Sequence, residues 1–147
     1  MAINYHPELG EALWCEYDNL DPQGGEMMKR RLVVVLSPKS AQRHRLVTVV
    51  PISATEPEEM KSWHVKLERD PYPKGTAPDL WVKCDMINVV SFDRLSGYHY
   101  RWGGKRVYQK MKVSLRELIA VREAVLKGLG LYGWDPVKAL ESLAPKA

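Results

Sequence analysis

Residues that hold metal ions or form disulfides are scarce in this chain. Its two cysteines, Cys15 and Cys84, are far apart and lie outside any C-x-x-C or Cys/His ligand spacing. The four histidines show neither the H-E-x-x-H nor the H-x-H spacing of a metal site. We therefore expect no metal and no other cofactor, and we expect both cysteines to be reduced thiols of a cytoplasmic protein.

Long apolar runs and common nucleotide or hydrolase motifs are also absent. No apolar run approaches the roughly 20 residues of a membrane-spanning helix, so we expect no membrane contact. The sequence has no G-x-x-x-x-G-K-[ST] loop and no G-x-S-x-G motif. With 147 residues, 45% of them apolar, the chain suits one compact domain over residues 1–147.

The charge of the chain is mildly positive and unevenly distributed. A net charge of +4 suits a polyanionic partner but is also common among ordinary proteins. Three basic clusters are present: Lys29, Arg30 and Arg31; Lys39, Arg43, His44 and Arg45; and Arg101, Lys105, Arg106, Lys110 and Lys112. Each cluster is either a solvated surface or part of a nucleic-acid-binding track, and composition does not decide between the two.

Short β-rich segments occupy the first two thirds of the chain, and helical patterns follow them. Strands are predicted at residues 12–17, 31–37, 46–53, 63–68, 80–85 and 87–91. Residues 56–61, 70–79 and 96–104 are predicted to be loops. The order of strands before helices predicts a mainly β (α+β) fold.

Two helices are predicted near the end of the chain. Ser114 and Glu117 form an S-x-x-E capping box, and Gly128 and Gly130 end the first helix. Its apolar stripe is predicted to contain Leu115, Leu118, Ile119, Val125, Leu126 and Leu129. A second, shorter helix is predicted to begin at Asp135, with Pro136 in its first turn.

The loop predicted at residues 96–104 brings aromatic residues close to basic ones. Tyr98, Tyr100 and Trp102 could stack on the bases of a nucleic acid. They could equally pin the loop to the body of the protein, and the sequence leaves both interpretations open.

An arginine, a hydroxyl and a carboxylate stand near predicted strand ends. Arg31 begins a strand, Ser53 ends another, and Glu26 lies in the segment that joins two strands. Gly24 and Gly25 in that segment allow a close backbone approach to a ligand or simply a tight bend. On these residues alone, a phosphate-binding site and an ordinary surface with an ion pair are both possible.

Four short motifs in a fixed order resemble the MazF/PemK family. They are residues 13–18 (LWCEYD), 24–26 (GGE), 31–37 (RLVVVLS) and 49–53 (VVPIS). Residues 63–67 (WHVKL), 82–86 (VKCDM) and 93–95 (DRL) resemble the later strands of that family. The similarity covers residues 8–128 approximately and leaves a short helical extension at about 131–147.

The resemblance implies an SH3-like small β-barrel with C-terminal helices, a homodimer, and a toxin of a type II toxin-antitoxin system with an antitoxin partner. It implies an endoribonuclease that cleaves single-stranded RNA by 2′-hydroxyl attack without a metal. Arg31 matches the family's catalytic arginine, Ser53 its catalytic threonine and Glu26 its loop carboxylate. RNA contacts are expected from Gly24, Gly25, Lys29, Arg30, Lys39, Arg43, Arg45 and His64.

The sequence departs from the family pattern at several positions. Ser53 replaces the usual threonine, Leu32 stands where a proline usually follows the arginine, and Met27 stands where glutamine is frequent. Residues 70–79, residues 97–110 and the tail are longer than in compact members. Two alternatives follow: a toxin of the same fold that binds DNA gyrase or another macromolecule without cutting RNA, and a degenerate regulatory member.

Overall fold

The computed structural model describes residues 2–17, 29–73 and 79–143. Within these ranges the strands precede the helices, as predicted. The strands are β1 Glu11–Glu16, β2 Arg30–Val35, β3 Leu46–Ser53, β4 His64–Lys66, β5 Trp81–Lys83, β6 Asn88–Ser91, β7 Leu95–Ser96, β8 Tyr98–Trp102, β9 Lys105–Gln109 and β10 Met111–Lys112. The helices are α1 Leu115–Gly128 and α2 Pro136–Leu143.

Eight of the strands in the described ranges form one antiparallel sheet. Its order is β10-β1-β2-β3-β5-β4, and β6 and β7 pair additionally with β3 and β1. All six predicted strands are confirmed, although β4 and β5 are shorter than expected. Because all pairs are antiparallel, β1, β2 and β3 reverse direction in turn, and the start of β2 lies beside the end of β3.

Both faces of the central strands are buried. In β2, Leu32 and Val34 belong to one apolar cluster, whereas Val33 and Val35 belong to another. The first cluster includes residues of β3, β5 and α1, and the second includes residues of β1, β3 and β6. This two-sided burial explains why β2 carries a continuous apolar run instead of an alternating pattern.

Helix α1 begins with the predicted capping box and ends at the predicted glycines. Ser114 Oγ accepts a hydrogen bond from the Glu117 amide at 3.1 Å, and Glu117 Oε1 accepts one from the Ser114 amide at 2.9 Å. Gly130, with φ of +72°, reverses the chain after the last turn. Both ends are therefore fixed by local interactions that the sequence encodes.

The apolar stripe predicted for α1 is only partly the buried face. Four of its members are exposed in the described structure: Leu115, Ile119, Leu126 and Leu129. The buried face is centred on Val121 and Ala124. A Cβ at Gly128 would lie 3.3 Å from the Cβ of Trp63, so small residues let the helix lie close to the sheet, and the larger leucines turn outward.

Helix α2 is confirmed where it was predicted. Asp135 precedes it, and its Oδ1 accepts a hydrogen bond from the Val137 amide at 2.9 Å, which satisfies one of the free N–H groups of the first turn. No helix in the described ranges has both the length and the apolar character needed to cross a membrane.

The prediction of a loop at residues 96–104 is wrong. Tyr98–Trp102 is strand β8, which pairs with β9 as an antiparallel hairpin. Gly103 and Gly104 connect the two strands with φ values of +59° and +76°, which matches the positive φ required at both centres of a type I′ turn. The mostly polar β9 lacks the apolar alternation that marks a strand, and this concealed the hairpin.

Both cysteines are free thiols in the interior of the protein. Cys15 lies in β1 and Cys84 follows β5, and neither is exposed to solvent. Burial raises the pKa of Cys15 to about 11 and the pKa of Cys84 to about 12, because the interior disfavours a charged thiolate. Both thiols therefore stay protonated and act as small apolar core residues.

Glu117 connects α1 to the sheet, and we predict that it is needed for stability. Besides its part in the capping box, its Oε2 accepts a hydrogen bond from the Glu68 amide at 2.9 Å, and the side chain is buried. Glu117→Ala leaves the Ser114 and Glu68 amides unpaired, so we expect the free energy of unfolding in urea to fall by about 2–4 kcal/mol. Glu123→Ala, on the exposed face of the same helix, is the control, and equal losses in both variants would refute this role.

Candidate functional site

Strands β2 and β3 separate from each other near Arg31. The last residue of β3 that pairs with β2 is Pro51, opposite Val33. Proline has no N–H to donate, and β3 then pairs with β5 through Ile52 and Ser53. Arg31, two residues before Val33, therefore stands where the sheet opens.

The register of β2 and β3 gives the relative placement of Arg31 and Ser53 along the two strands. Continuing the register of β2 and β3 by two residues places Arg31 opposite Ser53. Strand alternation puts Arg31 on the same face as Val33 and Ser53 on the same face as Val49, and these two valines share one core cluster. Arg31 is among the residues that line the cleft at this opening, whereas Ser53 is not, although its neighbours Ile52 and Ala54 are.

A cleft with a volume of about 530 Å³ occupies the opening. Apolar residues line its interior, together with two adjacent arginines of β2, Arg30 and Arg31. Its lining residues are Trp14, Arg30, Arg31, Leu32, Ile52, Ala54, Asp70, Tyr72, Pro73, Leu80, Gly97, Tyr98 and His99. The volume is within the range of small-molecule sites, and the lining combines apolar surface with a few charged groups, as such sites do.

The guanidinium of Arg31 has an unused donor. Its Nε is buried and has no hydrogen-bond partner among the described residues. Tyr17 is close enough for the two groups to interact electrostatically, and burial keeps the pKa of Tyr17 far above its usual value, so this phenol stays neutral. A permanently charged group with a free buried N–H is suited to an oxyanion such as phosphate.

The hydroxyl of Ser53 is buried, with only 3% of the residue exposed. It accepts a hydrogen bond from the Thr55 amide at 3.1 Å, and its contact as a donor to the Thr55 carbonyl is long, at 3.5 Å. The amide bond fixes the oxygen, and the weak outgoing bond leaves the hydroxyl proton available for another acceptor.

Arg30 points to the opposite face of β2 from Arg31 and contacts an aromatic ring. Its guanidinium carbon lies 4.7 Å from the centre of the Trp14 ring, and its Nη2 donates a hydrogen bond to Ser96 Oγ at 3.4 Å. Cation–π contact of this kind orients the planar guanidinium along the aromatic surface. Arg30 and Arg31 therefore project from opposite faces of β2 at the opening.

Three aromatic residues of the cleft, Trp14, Tyr72 and Tyr98, were not assigned to the site from the sequence. The Tyr72 hydroxyl donates a hydrogen bond to the Ala12 carbonyl at 3.1 Å, and the Tyr72 amide donates one to Asp70 Oδ1 at 2.8 Å. Tyr72 lies in a predicted loop far from Arg31 in sequence, so only the tertiary structure places it here. The Tyr98 ring, which sequence reasoning had noted, lies 5.2 Å from the Tyr72 ring.

The remaining predicted site residues are spread more widely. Lys29 is exposed beside Arg30, with φ of +67°. Lys39, Arg43 and Arg45 follow the far end of β2, about 20 Å from Arg31 along the strands. Arg45 pairs with Asp93 at 2.9 Å, and Lys39 lies 3.9 Å from Glu8. The structure thus does not bring these residues to the cleft.

His64 begins β4, and its Nδ1 accepts a hydrogen bond from the Lys61 amide at 3.0 Å, so it has a structural role in a turn. Glu26, Gly24 and Gly25 lie outside the described residues. In residues 2–17, 29–73 and 79–143, no three His, Cys, Asp or Glu side chains come together as a group that could hold a metal ion.

The sequence as a whole matches one known family. The match to the family described as "PemK-like, MazF-like toxin of type II toxin-antitoxin system" covers residues 8–126. The chain belongs to this family. A protein of Haemophilus influenzae, described as uncharacterized, is 30% identical over 146 residues, which cover 88% of this chain and 94% of that protein.

Solved structures share the fold. MazF from Deinococcus radiodurans superposes with a TM-score of 0.63 at 20% identity, covering 86% of this chain and 99% of that one. An endoribonuclease from mycobacterial species, solved in complex with its cognate antitoxin, gives a TM-score of 0.58 at 18% identity, covering 85% of this chain and 96% of its own. The predicted fold class, a mainly β protein of the MazF type with C-terminal helices, is confirmed.

Proposed function

We propose that this toxin is an endoribonuclease that cleaves single-stranded RNA, with Arg31 at the reacting centre. The observation that supports the proposal is the position of Arg31: it lines the cleft where β2 and β3 separate, and its buried Nε has no partner among the described residues. Family membership supports the same conclusion, since the mycobacterial relative of this fold is an endoribonuclease. The single-stranded substrate is proposed from the family resemblance, and unpaired nucleotides can present their bases to a protein site of this kind.

The proposed reaction uses the RNA's own nucleophile. The ribose 2′-oxygen attacks the adjacent phosphorus, the bond from phosphorus to the 5′-oxygen breaks, and the products are a 2′,3′-cyclic phosphate and a free 5′-hydroxyl. One proton leaves the 2′-hydroxyl and one is delivered to the departing 5′-oxygen. Between these steps the phosphorane carries additional negative charge, which the site must stabilise.

Arg31 is proposed to stabilise this charge. Its guanidinium is planar and always protonated, and it can donate two parallel hydrogen bonds to two phosphate oxygens. A lysine in its place would offer only a point charge without the fixed fork. The Nε of Arg31 is buried, and a hydrogen bond from this edge of the guanidinium to a phosphate oxygen is stronger than it would be in water.

Ser53 is proposed to donate one hydrogen bond to the same phosphate while it stays neutral. The Thr55 amide holds its oxygen in place, which removes part of the entropic cost of orienting the hydroxyl. Glu26, by its position in the family motif, is proposed to orient Arg31 or to accept the 2′ proton. In this scheme the described residues supply the charge and the hydrogen bonds without a metal ion.

We predict that cleavage of RNA continues in EDTA and yields 2′,3′-cyclic phosphate ends. A single 2′-deoxyribose at the cut site should abolish cleavage there, since the nucleophile is removed. Gel analysis of a defined oligonucleotide, with and without the deoxy substitution, measures both effects. Loss of cleavage in EDTA with recovery in magnesium, or equal cleavage of the deoxy substrate, would contradict the mechanism.

Substitutions at the two described site residues should have graded effects. We predict that Arg31→Ala lowers kcat/KM by about 100-fold or more, since one preorganised donor to an oxyanion contributes on the order of 3 kcal/mol. Ser53→Ala should lower it less, and Ser53→Thr should retain activity because it keeps the hydroxyl on a carbon suited to a strand end.

Two controls separate chemistry from folding in this series. Arg43→Ala removes an exposed arginine at the far end of β2 and should change kcat/KM by less than about threefold. Thermal unfolding of Ser53→Ala reports the loss of the hydrogen bond from Thr55, which should cost about 1 kcal/mol independently of activity. An Arg31→Ala protein that folds and cleaves like the wild type would remove Arg31 from the site.

We further propose that the active form is a homodimer that a cognate antitoxin inhibits by covering the cleft. Exposed apolar side chains on the C-terminal helices support association: Leu115, Ile119, Leu126, Leu129, Val137 and Leu140. Light scattering at micromolar concentration should give a mass of about 34 kDa, twice the 16.8 kDa of one chain. A 16.8 kDa particle that cleaves RNA would rule out the dimer as the active form.

A further inference from the structure

A row of aromatic side chains leads from the cleft onto the β8–β9 hairpin. The Trp14 ring lies 5.9 Å from the Tyr72 ring, Tyr72 lies 5.2 Å from Tyr98, and Tyr98 lies 6.3 Å from Tyr100. Trp102 follows on the same face of β8 by strand alternation. We call Trp14, Tyr72, Tyr98, Tyr100 and Trp102 the aromatic row.

The aromatic row is buried at its inner end and exposed to solvent at its outer end. Tyr72 is buried and Tyr98 is partly buried against the core, so the inner rings fix the hairpin to the body. Tyr100 is 41% exposed and Trp102 is 77% exposed, so the outer rings present apolar surface to solvent. Packing explains the inner rings but does not explain why large aromatic residues stand at the outer end.

The charge around the row is positive. From residue 95 to residue 115 the chain contains no aspartate or glutamate, and it contains Arg101, Lys105, Arg106, Lys110 and Lys112. Arg101 and Arg106 are direct cross-strand partners in the hairpin, and neither forms an ion pair with a described residue. By strand alternation these two arginines project from the Tyr108 face of the hairpin, whereas Lys105, the cross-strand partner of Trp102, shares the face of the row.

At its inner end the row meets the proposed phosphate site. Trp14 is covered by Arg30, and Trp14, Tyr72 and Tyr98 line the same cleft as Arg31. Among the described residues that line this cleft Asp70 is the one carboxylate, and it accepts a hydrogen bond from the Tyr72 amide. A strand of RNA held by its phosphate at Arg31 would therefore have its neighbouring nucleotides beside aromatic rings and basic groups.

We propose that the exposed outer rings of the aromatic row, Tyr100 and Trp102, form a stacking track for the unpaired bases of single-stranded RNA that extend from the phosphate at Arg31 onto the hairpin. The proposal rests on the proposed nuclease function and names how the same site holds its substrate. Stacking on aromatic rings is the general way in which proteins hold unpaired bases, and it tolerates different sequences. The two-glycine turn joins β8 directly to β9, so Tyr100 and Trp102 lie on one face of a paired hairpin.

The test measures binding separately from cleavage. The probe is a single-stranded oligonucleotide of about 12 nucleotides, with 2′-O-methyl ribose throughout so that no 2′-hydroxyl can attack, and with 2-aminopurine at one position at a time. Stacking quenches 2-aminopurine fluorescence, so the probe reports both the Kd and the positions that stack. Wild-type protein is compared with Tyr100→Ala, Tyr100→Phe and Tyr108→Ala.

We expect Tyr100→Ala to raise the Kd about tenfold and to abolish quenching at one or two adjacent positions. Tyr100→Phe keeps the ring and should behave like the wild type. Tyr108→Ala removes a tyrosine of similar exposure, 46%, from the other face of the same hairpin, and it should change the Kd by less than about twofold. Equal losses in Tyr100→Ala and Tyr108→Ala, or no loss in either, would overturn the proposal.

Cleavage of the matching all-RNA oligonucleotide distinguishes the two proposals. If the protein cleaves RNA and Tyr100→Ala leaves KM unchanged, the stacking track is wrong and the nuclease stands. If Tyr100 is needed for quenching but no RNA is cleaved, the nuclease proposal is wrong and the track stands as a binding site. Wild-type protein that fails to bind the oligonucleotide at all would overturn the stacking track.

Discussion

The candidate site depends on the point at which β3 stops pairing with β2 and begins to pair with β5. Pro51 ends the pairing with β2, and the next two residues pair with β5. Because a proline has no N–H, the residue at which the sheet opens contributes no ladder donor that would need a partner. The cleft, the Arg31 Nε that has no partner within residues 2–17, 29–73 and 79–143, and the turn at Ser53 all lie beside this opening.

The two adjacent arginines of β2 show how one strand can serve two purposes. Consecutive side chains of a strand point to opposite faces, so Arg31 lies on the side of Tyr17 and Ser53 whereas Arg30 lies on the side of Trp14. One face is suited to the phosphate and the other to aromatic stacking. A helix at this position would place adjacent residues only about 100° apart, and it would not separate the two environments so completely.

Much of the fold follows from local patterns in the sequence, whereas the site follows only in part. The strands with apolar runs and the helix with its capping box were predictable because each depends on neighbours in the chain. The hairpin was missed because β9 is held by backbone pairing and carries few apolar residues. The buried face of α1 was misassigned because the leucines were expected to be buried. The helix packs so closely against Trp63 that only small residues fit there, and several leucines face solvent instead.

The same distinction applies to the candidate site. Arg31 and Ser53 could be placed at strand ends from sequence, and the family resemblance gave their roles as expectations. Tyr72 could not be predicted, because it reaches the cleft from a distant loop and is held there by hydrogen bonds to Ala12 and Asp70. Distant contacts of this kind depend on the complete tertiary structure, and no periodic pattern in the sequence reports them.

The two interior cysteines make the native protein nearly inert toward thiol reagents. With pKa values of about 11 and 12, fewer than about one in a thousand of either group is a thiolate near neutral pH, and the folded chain shields both sulfurs. A cysteine introduced on the surface would therefore react alone, and no native residue would have to be replaced first. Fluorescent or spin labels could then be attached at the tip of the hairpin to report directly on what binds there.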